Sequence, residues 1–484
     1  MRAMRFVWLI LALTLSLPFY GPIATGAQTK VHPEVYRALD QSPTGRASFI
    51  VLLDERPNLR SARSVRDAKA RQRAVVRALY QTARRSQAPL IALLQAQRAT
   101  SVTQFRSFFS VNALSVVGTR EAVAELAAHP AVRAIEPNAV VAIPQPLGGP
   151  SSPKVSAVEP NIIQIKADLV WDLGFTGSGV VVANIDTGVR HTHEALVDDY
   201  LCGVDGPHEN CWRDTVLGLP DPYDDNNHGT HTMGTAVGGD GPGPFDNDIG
   251  VAPGAKWIAC KAFNAAGSGT FAAIIGCSDF FLGLALSPET QVFTPHVISN
   301  SWGDDRGSTA FNAMVDAWNA AGISSSFALG NAGPACGTSG SPGEYTNAFG
   351  IGAVNASGVI AGFSSRGPAS AANGGGIVPK VVAPGVGIRS ATRVSDTSYA
   401  FFNGTSMATP HDAGLKALML SKKPDLTVGE LNNFTVAGAE PIVDLTCGGD
   451  ESGIPNNIYG AGRINALNSV NLVPGGGHEP PPGH

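Results

Sequence analysis

The feature that most constrains this chain is a series of short, continuously apolar runs in its second part. They are Val180 to Ile185, Lys256 to Cys260, Val297 to Ser299, Ser325 to Leu329 and Phe349 to Val354. Strands with one face in water alternate apolar and polar residues; these do not. Runs of this kind belong to parallel strands covered on both faces. Helix-like stretches, such as Thr270 to Leu286 and Ala310 to Ala321, lie between several of them. Strands alternating with helices predict an α/β domain with a mostly parallel sheet.

Residues 28–145 read differently. Ser48 to Leu53 is a short buried-type strand, and residues 60–98 favour helix, with no Gly and with Pro89 inside. Phe108 to Val117 and Val132 to Ile135 read as strands, with Arg120 to Ala128 as a helix between them. The pattern predicts a small α+β unit. A breaker-rich stretch from Ile143 to Pro153 then marks a linker. A chain of 484 residues has room for both units.

Charge divides at the same place. The net charge of -5 is the sum of +2 over residues 1–27, +9 over 28–150 and -16 over 151–484. Oppositely charged neighbours can bind each other. No interleaving of basic and aromatic residues in the first unit supports nucleic acid as a partner. The start has the order of an export signal: Arg2 and Arg5, an apolar core from Phe6 to Leu17, and small residues near Ala27. After it, no apolar run is long enough to span a bilayer. All six cysteines lie in the acidic part and none has C-x-x-C spacing. An even count in an exported chain points to disulfides rather than zinc.

Three segments carry chemistry. Asp186 ends the apolar strand 180–185, where α/β proteins place ligands and catalysis. His228 stands between turn formers and a run of small residues, Gly229-Thr-His-Thr-Met-Gly234. Read as zinc ligands, His228 and His231 lack the H-E-x-x-H pattern. Ser406 follows Gly404-Thr405 and opens an Ala-rich helix, where hydroxyl and backbone N–H meet the positive end of the helix. An ordinary turn Asp, structural His or N-cap Ser explains each segment alone. Their coincidence in the order Asp, His, Ser does not yield to that explanation.

With these motifs the sequence resembles the subtilisin-like serine proteases. The resemblance rests on Ile185-Asp-Thr-Gly188, His228-Gly-Thr-His-Thr-Met-Gly234 and Gly404-Thr-Ser-Met-Ala-Thr-Pro410. Gly250-Val-Ala-Pro253, Gly330-Asn-Ala-Gly333, Phe363 to Pro368 and Val382-Ala-Pro-Gly385 extend it over roughly residues 155–470. The cysteine-bearing segments and Asn456 to Arg463 look most like the bacillopeptidase F-like branch. The resemblance implies a three-layer α/β domain and a secreted endopeptidase acting on proteins or peptides. It implies Ser406 as nucleophile, His228 as general base and acid, and Asp186 as its orienting partner. Asn331 would be the oxyanion donor. Ser301, Trp302 and Gly303, with Gly330, would bind substrate. Phe108 to Ser115 and Ala131 to Asn138 resemble the family's inhibitory propeptide, of ferredoxin-like type, which the enzyme removes itself.

The expected organisation is a signal peptide (1–27), a propeptide domain (28–145), a linker and processing region (146–155), a catalytic domain (156–473) and a flexible tail (474–484). Processing is expected between Asn138 and Pro160. No cofactor is required by this chemistry, and no membrane or nucleic acid is an expected partner once the signal is removed.

Departures from the family pattern raise three further expectations. Family members often bind calcium through an Asp where this chain has Ala195, and the loop 238–249 differs as well. Asp224, Asp225, Asp240, Asp246 and Asp248 offer oxygens elsewhere, with no assignable site. Asp304 stands near the substrate strand, where it could favour a basic substrate side chain or, the reading preferred here, serve as an exposed rim carboxylate. Asp412 stands on the Ser406 helix where an apolar residue is usual, so it must be paired, exposed or protonated, and it is the one feature that favours the rival reading of a catalytically dead binding or scaffold protein on this fold. Ranked by proximity, the cysteines pair as Cys202–Cys211 and Cys260–Cys277, leaving Cys336–Cys447; fifteen connectivities are open.

Overall fold

The computed structural model describes residues 30–63, 65, 67–98, 100–143, 149, 151–152, 157–239, 248–286 and 294–475. The expected signal segment, Asp240, Asp246, most of the linker and the tail beyond Gly475 lie outside these residues.

The first unit runs α1 (Pro33–Gln41), β1 (Ala47–Leu53), α2 (Ala68–Ala96), β2 (Val102–Phe108), β3 (Ala113–Gly118), α3 (Arg120–Ala128) and β4 (Val132–Pro137). Its strands pair antiparallel in the order β2-β3-β1-β4. The β-α-β-β-α-β order makes it ferredoxin-like. The single strand expected at 108–117 is instead the end of β2, a turn through Phe109–Asn112 and then β3. Asn112 adopts φ 49° there, a left-handed value that Asn tolerates better than most residues. β2 escapes sequence reading because only its two ends, Val102 and Phe108, are buried. The expected helix at 60–98 is broken. Asp67 caps α2, its carboxylate accepting from Ala70 N at 2.7 Å.

α2 reaches two cores. Leu90 and Leu94 pack with Phe49, Val51 and Leu114 inside the first unit. Val75, Val76 and Leu79 belong to the large core that continues into the second unit.

A short strand β5 (Val140–Ala142) and a two-residue strand β6 (Ser151–Ser152) flank the linker. The second unit is built on β7 (Val181–Asp186), β8 (Trp212–Asp214), β9 (Lys256–Lys261), β11 (Val297–Asn300), β12 (Ser324–Ala328), β13 (Phe349–Val354) and β14 (Val381–Pro384). They form a seven-stranded sheet, β14-β13-β12-β11-β7-β9-β8, and every pairing is parallel. All five expected apolar runs are strands of this sheet. β10 (Ser268–Thr270), β15 (Ile388–Ala391) and β16 (Tyr399–Phe402) lie outside it.

Besides two short helices, Pro160–Gln164 and Asp168–Trp171, this unit has α4 (His228–Val237), α5 (Phe271–Gly283), α6 (Asn312–Ala321), α7 (Thr405–Lys422), α8 (Val428–Gly438) and α9 (Ala466–Leu472). α7 is buried from Thr405 to Leu420. It packs on α4 and on β11, β12 and β13, which is why its composition is Ala, Gly, Met and Leu with few charges. Disulfides join Cys202–Cys211, Cys260–Cys277 and Cys336–Cys447, the pairing that proximity ranks first. Among the described residues, no helix is long and apolar enough to cross a membrane.

Candidate active site

β7 carries Asp186 at its carboxyl end, fully buried. Asp186 Oδ1 lies 2.7 Å from His228 Nδ1 and accepts Thr187 N–H at 2.7 Å. Its Oδ2 accepts Thr232 Oγ1–H at 3.0 Å. A carboxylate so held fixes the imidazole by its Nδ1–H. That leaves Nε2 as the lone-pair nitrogen, and Nε2 is buried with no hydrogen-bond partner.

His228 opens α4, and the backbone before it is unusual. Asn227 has φ 114°, sparsely populated for a side chain with Cβ. Its Oδ1 accepts Arg393 N–H at 3.1 Å, which helps to hold it. Asp224 is the hub of this turn. It accepts from Thr187 Oγ1, Asn226 N, Asn227 N, Thr230 N and Thr230 Oγ1 at 2.7–3.2 Å. One carboxylate therefore ties the residue after Asp186 to the start of the His228 helix. Sequence reading had offered Asp224 only as an oxygen ligand; its place four residues before His228 is the signal that would have found it.

Ser406 is the second residue of α7 and is buried. Its Oγ donates to Ser301 O at 3.1 Å. Ser301 Oγ in turn donates to Ser406 O at 2.8 Å. Pro410 explains the second bond. Proline has no N–H, so the Ser406 carbonyl loses its donor one helical turn later. Ser301 supplies the missing donor and ties the end of β11 to the nucleophile.

Asn331 Oδ1 accepts Thr405 N–H and Thr405 Oγ1–H, both at 2.9 Å. The amide nitrogen must then face Gly404: a Cβ placed there would sit 3.3 Å from Asn331 Nδ2. Gly330, before it, has φ 116°, and a Cβ would meet Ser365 Oγ at 2.8 Å, so only glycine fits. Thus Asp186, His228, Ser301, Gly330, Asn331 and Ser406 converge on elements that pack together at the carboxyl ends of the strands.

Residues 177–462 match the peptidase S8 subtilase family. Bacillopeptidase F of Bacillus subtilis (strain 168) is 36% identical over 429 residues, 83% of this chain and 29% of that protein. Subtilisin E of Bacillus subtilis (strain 168) is 34% identical over 334 residues, 68% of this chain and 75% of the relative. Subtilisin DY of Bacillus licheniformis is 36% identical over 307 residues, 62% of this chain and 94% of the relative. The chain belongs to the subtilase family. Residues 177–462 form a subtilisin-like serine endopeptidase domain, while the chain spans under a third of the length of bacillopeptidase F.

In this subtilase, Trp302 does not offer its side chain to a substrate. It is 1% exposed and packs among Phe263, Phe311 and Phe327. Only its backbone is left for a substrate to meet. Asp304 is half-buried, with its N–H and carbonyl both bonded to Ser341. Asp412 is paired: its Oδ2 lies 2.8 Å from Lys416 Nζ, and Ser326 Oγ donates to the same oxygen.

Ala195 itself brings no carboxylate, and residues 240–247 of the neighbouring loop lie outside the described residues. The Ala195 methyl is buried among apolar groups and its carbonyl accepts Gly239 N–H at 3.0 Å. Asp224 is occupied as described, and Asp225 pairs with Lys261 Nζ at 2.6 Å.

Two further histidines, His231 and His411, are fully buried and neutral. Burial is the main cause that holds them down, at about 3 and about 4. His411 Nδ1 bonds Met407 O at 2.8 Å and its Nε2 meets Asn161 Nδ2 at 2.9 Å. An unfolded chain binds these protons near pH 6.5. Above that value both states are neutral; between it and about pH 4 only the unfolded state takes up protons. Stability is therefore full above pH 6.5 and falls by about 1.4 kcal/mol per pH unit for each histidine until the folded value is reached. Melting curves of an inactive variant from pH 7 to 4.5 should show this slope, and His411→Gln should make it shallower. Parallel slopes for the two proteins would refute the assignment.

Proposed function

We propose that this subtilase cleaves peptide bonds with Asp186, His228 and Ser406, and that residues 28–145 are its inhibitory propeptide. The buried Asp186–His228 pair, with Nε2 of the imidazole left unpartnered, carries the first part. His228 Nε2 takes the Ser406 Oγ proton as Oγ bonds to the substrate carbonyl carbon. The proton then passes to the leaving amine as the C–N bond breaks, giving the acyl-enzyme. Water repeats the sequence in reverse, and Asp186 stabilises the imidazolium throughout. To begin, Ser406 must rotate its hydroxyl from Ser301 O toward the imidazole. The oxyanion is met by Ser406 N–H at the start of α7 and by Asn331 Nδ2.

Asn331→Ala should therefore lower kcat by about 10²–10³-fold with KM little changed. A chromogenic peptide assay on active-site-titrated protein checks this. A rise in KM at constant kcat would assign Asn331 to ground-state binding instead.

The propeptide reading is supported by occupancy. β5 pairs antiparallel with β10, and Ile143 N–H donates to Gly267 O at 2.8 Å. This is strand addition, in which backbone bonds give affinity without sequence choice. On the far side of the linker, Gly149 N–H donates to Phe401 O at 2.7 Å and β6 pairs with β16, the strand that leads to Ser406. Asp279 on α5 accepts Phe109 N–H and Ser110 N–H, each at 2.9 Å, and burial pushes its carboxyl up to about 6. The +9 and -16 charges of the two parts are complementary. Processing would fall between Ile143 and Gly149. Export through residues 1–27 is part of the same proposal, supported by three disulfides, which persist in oxidising compartments.

A further inference from the structure

Glu344 is 1% exposed, and no motif singles it out. Its Oε1 has four polar hydrogen-bond partners at 2.6–3.0 Å: Gly307 N, Ser341 Oγ, Ser370 Oγ and Asn373 Nδ2. Its Oε2 has two more, Ser370 N at 2.8 Å and Ser339 Oγ at 3.0 Å. All six are neutral donors. Burial alone would raise the carboxyl, but these hydrogen bonds outweigh it and hold the group below its ordinary value. The site is built for an anion and is filled by a side chain of the protein itself.

What the carboxylate joins matters more than its own comfort. Gly307 continues the segment that leaves β11 through Ser301, Trp302, Gly303 and Asp304. Ser339 and Ser341 belong to the facing turn, and Ser370 and Asn373 to a third loop. The first two segments touch directly: Asp304 N–H donates to Ser341 O at 2.6 Å, and Ser341 N–H to Asp304 O at 3.2 Å. The turn also reaches the oxyanion side, where Gly340 N–H donates to Leu329 O at 2.8 Å, two residues before Asn331. Trp302 is locked in the core beneath, so the outer course of the segment is set by the Ser341 pairing and by Glu344.

We infer that Glu344 is a positioning residue for the substrate cleft, holding the Ser301–Asp304 edge at the spacing that extended peptide requires. The inference rests on the reading of Ser301 to Gly303 as the substrate edge. Backbone pairing along an edge rewards each added residue of substrate only while the edge keeps its geometry. Gln is nearly the same shape as Glu, but its NH₂ would face donors in place of an acceptor, so Glu344→Gln must move at least one loop.

The test uses processed enzyme, active-site titrated, on peptides with one to four residues ahead of the cleaved bond. In the wild type, KM should fall as peptides lengthen. Glu344→Gln should raise KM for the longest peptide by about tenfold with kcat nearly constant, and Glu344→Asp should restore part of the loss. Ser370→Ala, which keeps the backbone donor, should shift KM in the same direction by less, and serves if Glu344→Gln fails to fold. A lower melting temperature with the length dependence intact in both variants would overturn the inference and leave Glu344 merely structural. A wild-type KM indifferent to length would instead overturn the edge reading on which it stands.

Discussion

Wild-type chain isolated from an exporting host should begin between residues 144 and 149, while Ser406→Ala should retain residues 28–143 covalently attached. Both edges of that window are set by backbone bonds. Upstream, Ile143 is held on Gly267; downstream, Gly149 is held on Phe401. The downstream anchor lies on β16, the strand that leads to Ser406. Removing a nucleophile of this kind costs about 10⁶-fold in kcat, so processing by the chain itself should cease on any laboratory timescale. Intact mass with N-terminal sequencing of the two proteins decides the matter. A mutant trimmed at the same bond as the wild type would mean that another protease does the cutting. Two untrimmed proteins would remove self-processing altogether and revive a catalytically silent scaffold. The same experiment on His228→Ala should match Ser406→Ala, because the hydroxyl is inert until its proton is taken.

Asp412→Ala should lower stability by about 3–5 kcal/mol, the largest effect expected outside the catalytic residues. Asp412 and Lys416 are both wholly buried on α7, and Lys416 Nζ also lies 4.1 Å from the centre of the Phe349 ring. Burial pushes Lys416 below its ordinary value and Asp412 works against that shift. Truncating the carboxylate leaves an ammonium in the core facing Ser326 Oγ at 3.3 Å and an aromatic face. Replacing both partners, as in Asp412→Leu with Lys416→Met, should be close to neutral, since an apolar pair has no desolvation cost to recover. Thermal melting in a Ser406→Ala background, where autolysis is absent, measures both changes. Equal losses in the single and the double variant would show that packing, not charge, governs the site. The pair also removes the one sequence feature that spoke against activity: Asp412 is neither exposed nor unpaired beneath the nucleophile.

The partner of Asp412 is legible in the sequence. Asp412 and Lys416 are four apart on a helix, the spacing at which opposite charges meet. The proline four residues after Ser406 was equally visible, but nothing in the sequence says that Ser301 would supply the donor it removes. Trp302 shows the opposite limit. Its position in the motif was right and its side-chain direction unreadable, because a strand residue turns inward or outward with the register of its sheet.

Local chemistry is what the sequence determined by itself. The five apolar runs became strands of one parallel sheet because only two covered faces suit them. The motifs placed Asp186 at the end of an apolar strand, His228 at one helix start and Ser406 near another, because Gly permits the tight turns that lead into a helix. Proximity along the chain was enough for the short-range disulfides. Everything that depends on who meets whom across long separations was decided in three dimensions. The bond from Thr187 to Asp224, those from Gly307, Ser370 and Asn373 to Glu344 and the seat of β5 on β10 join residues from distant segments. Hydrogen bonds of that sort are specified by the packing of whole elements, so they exist only once the fold has closed.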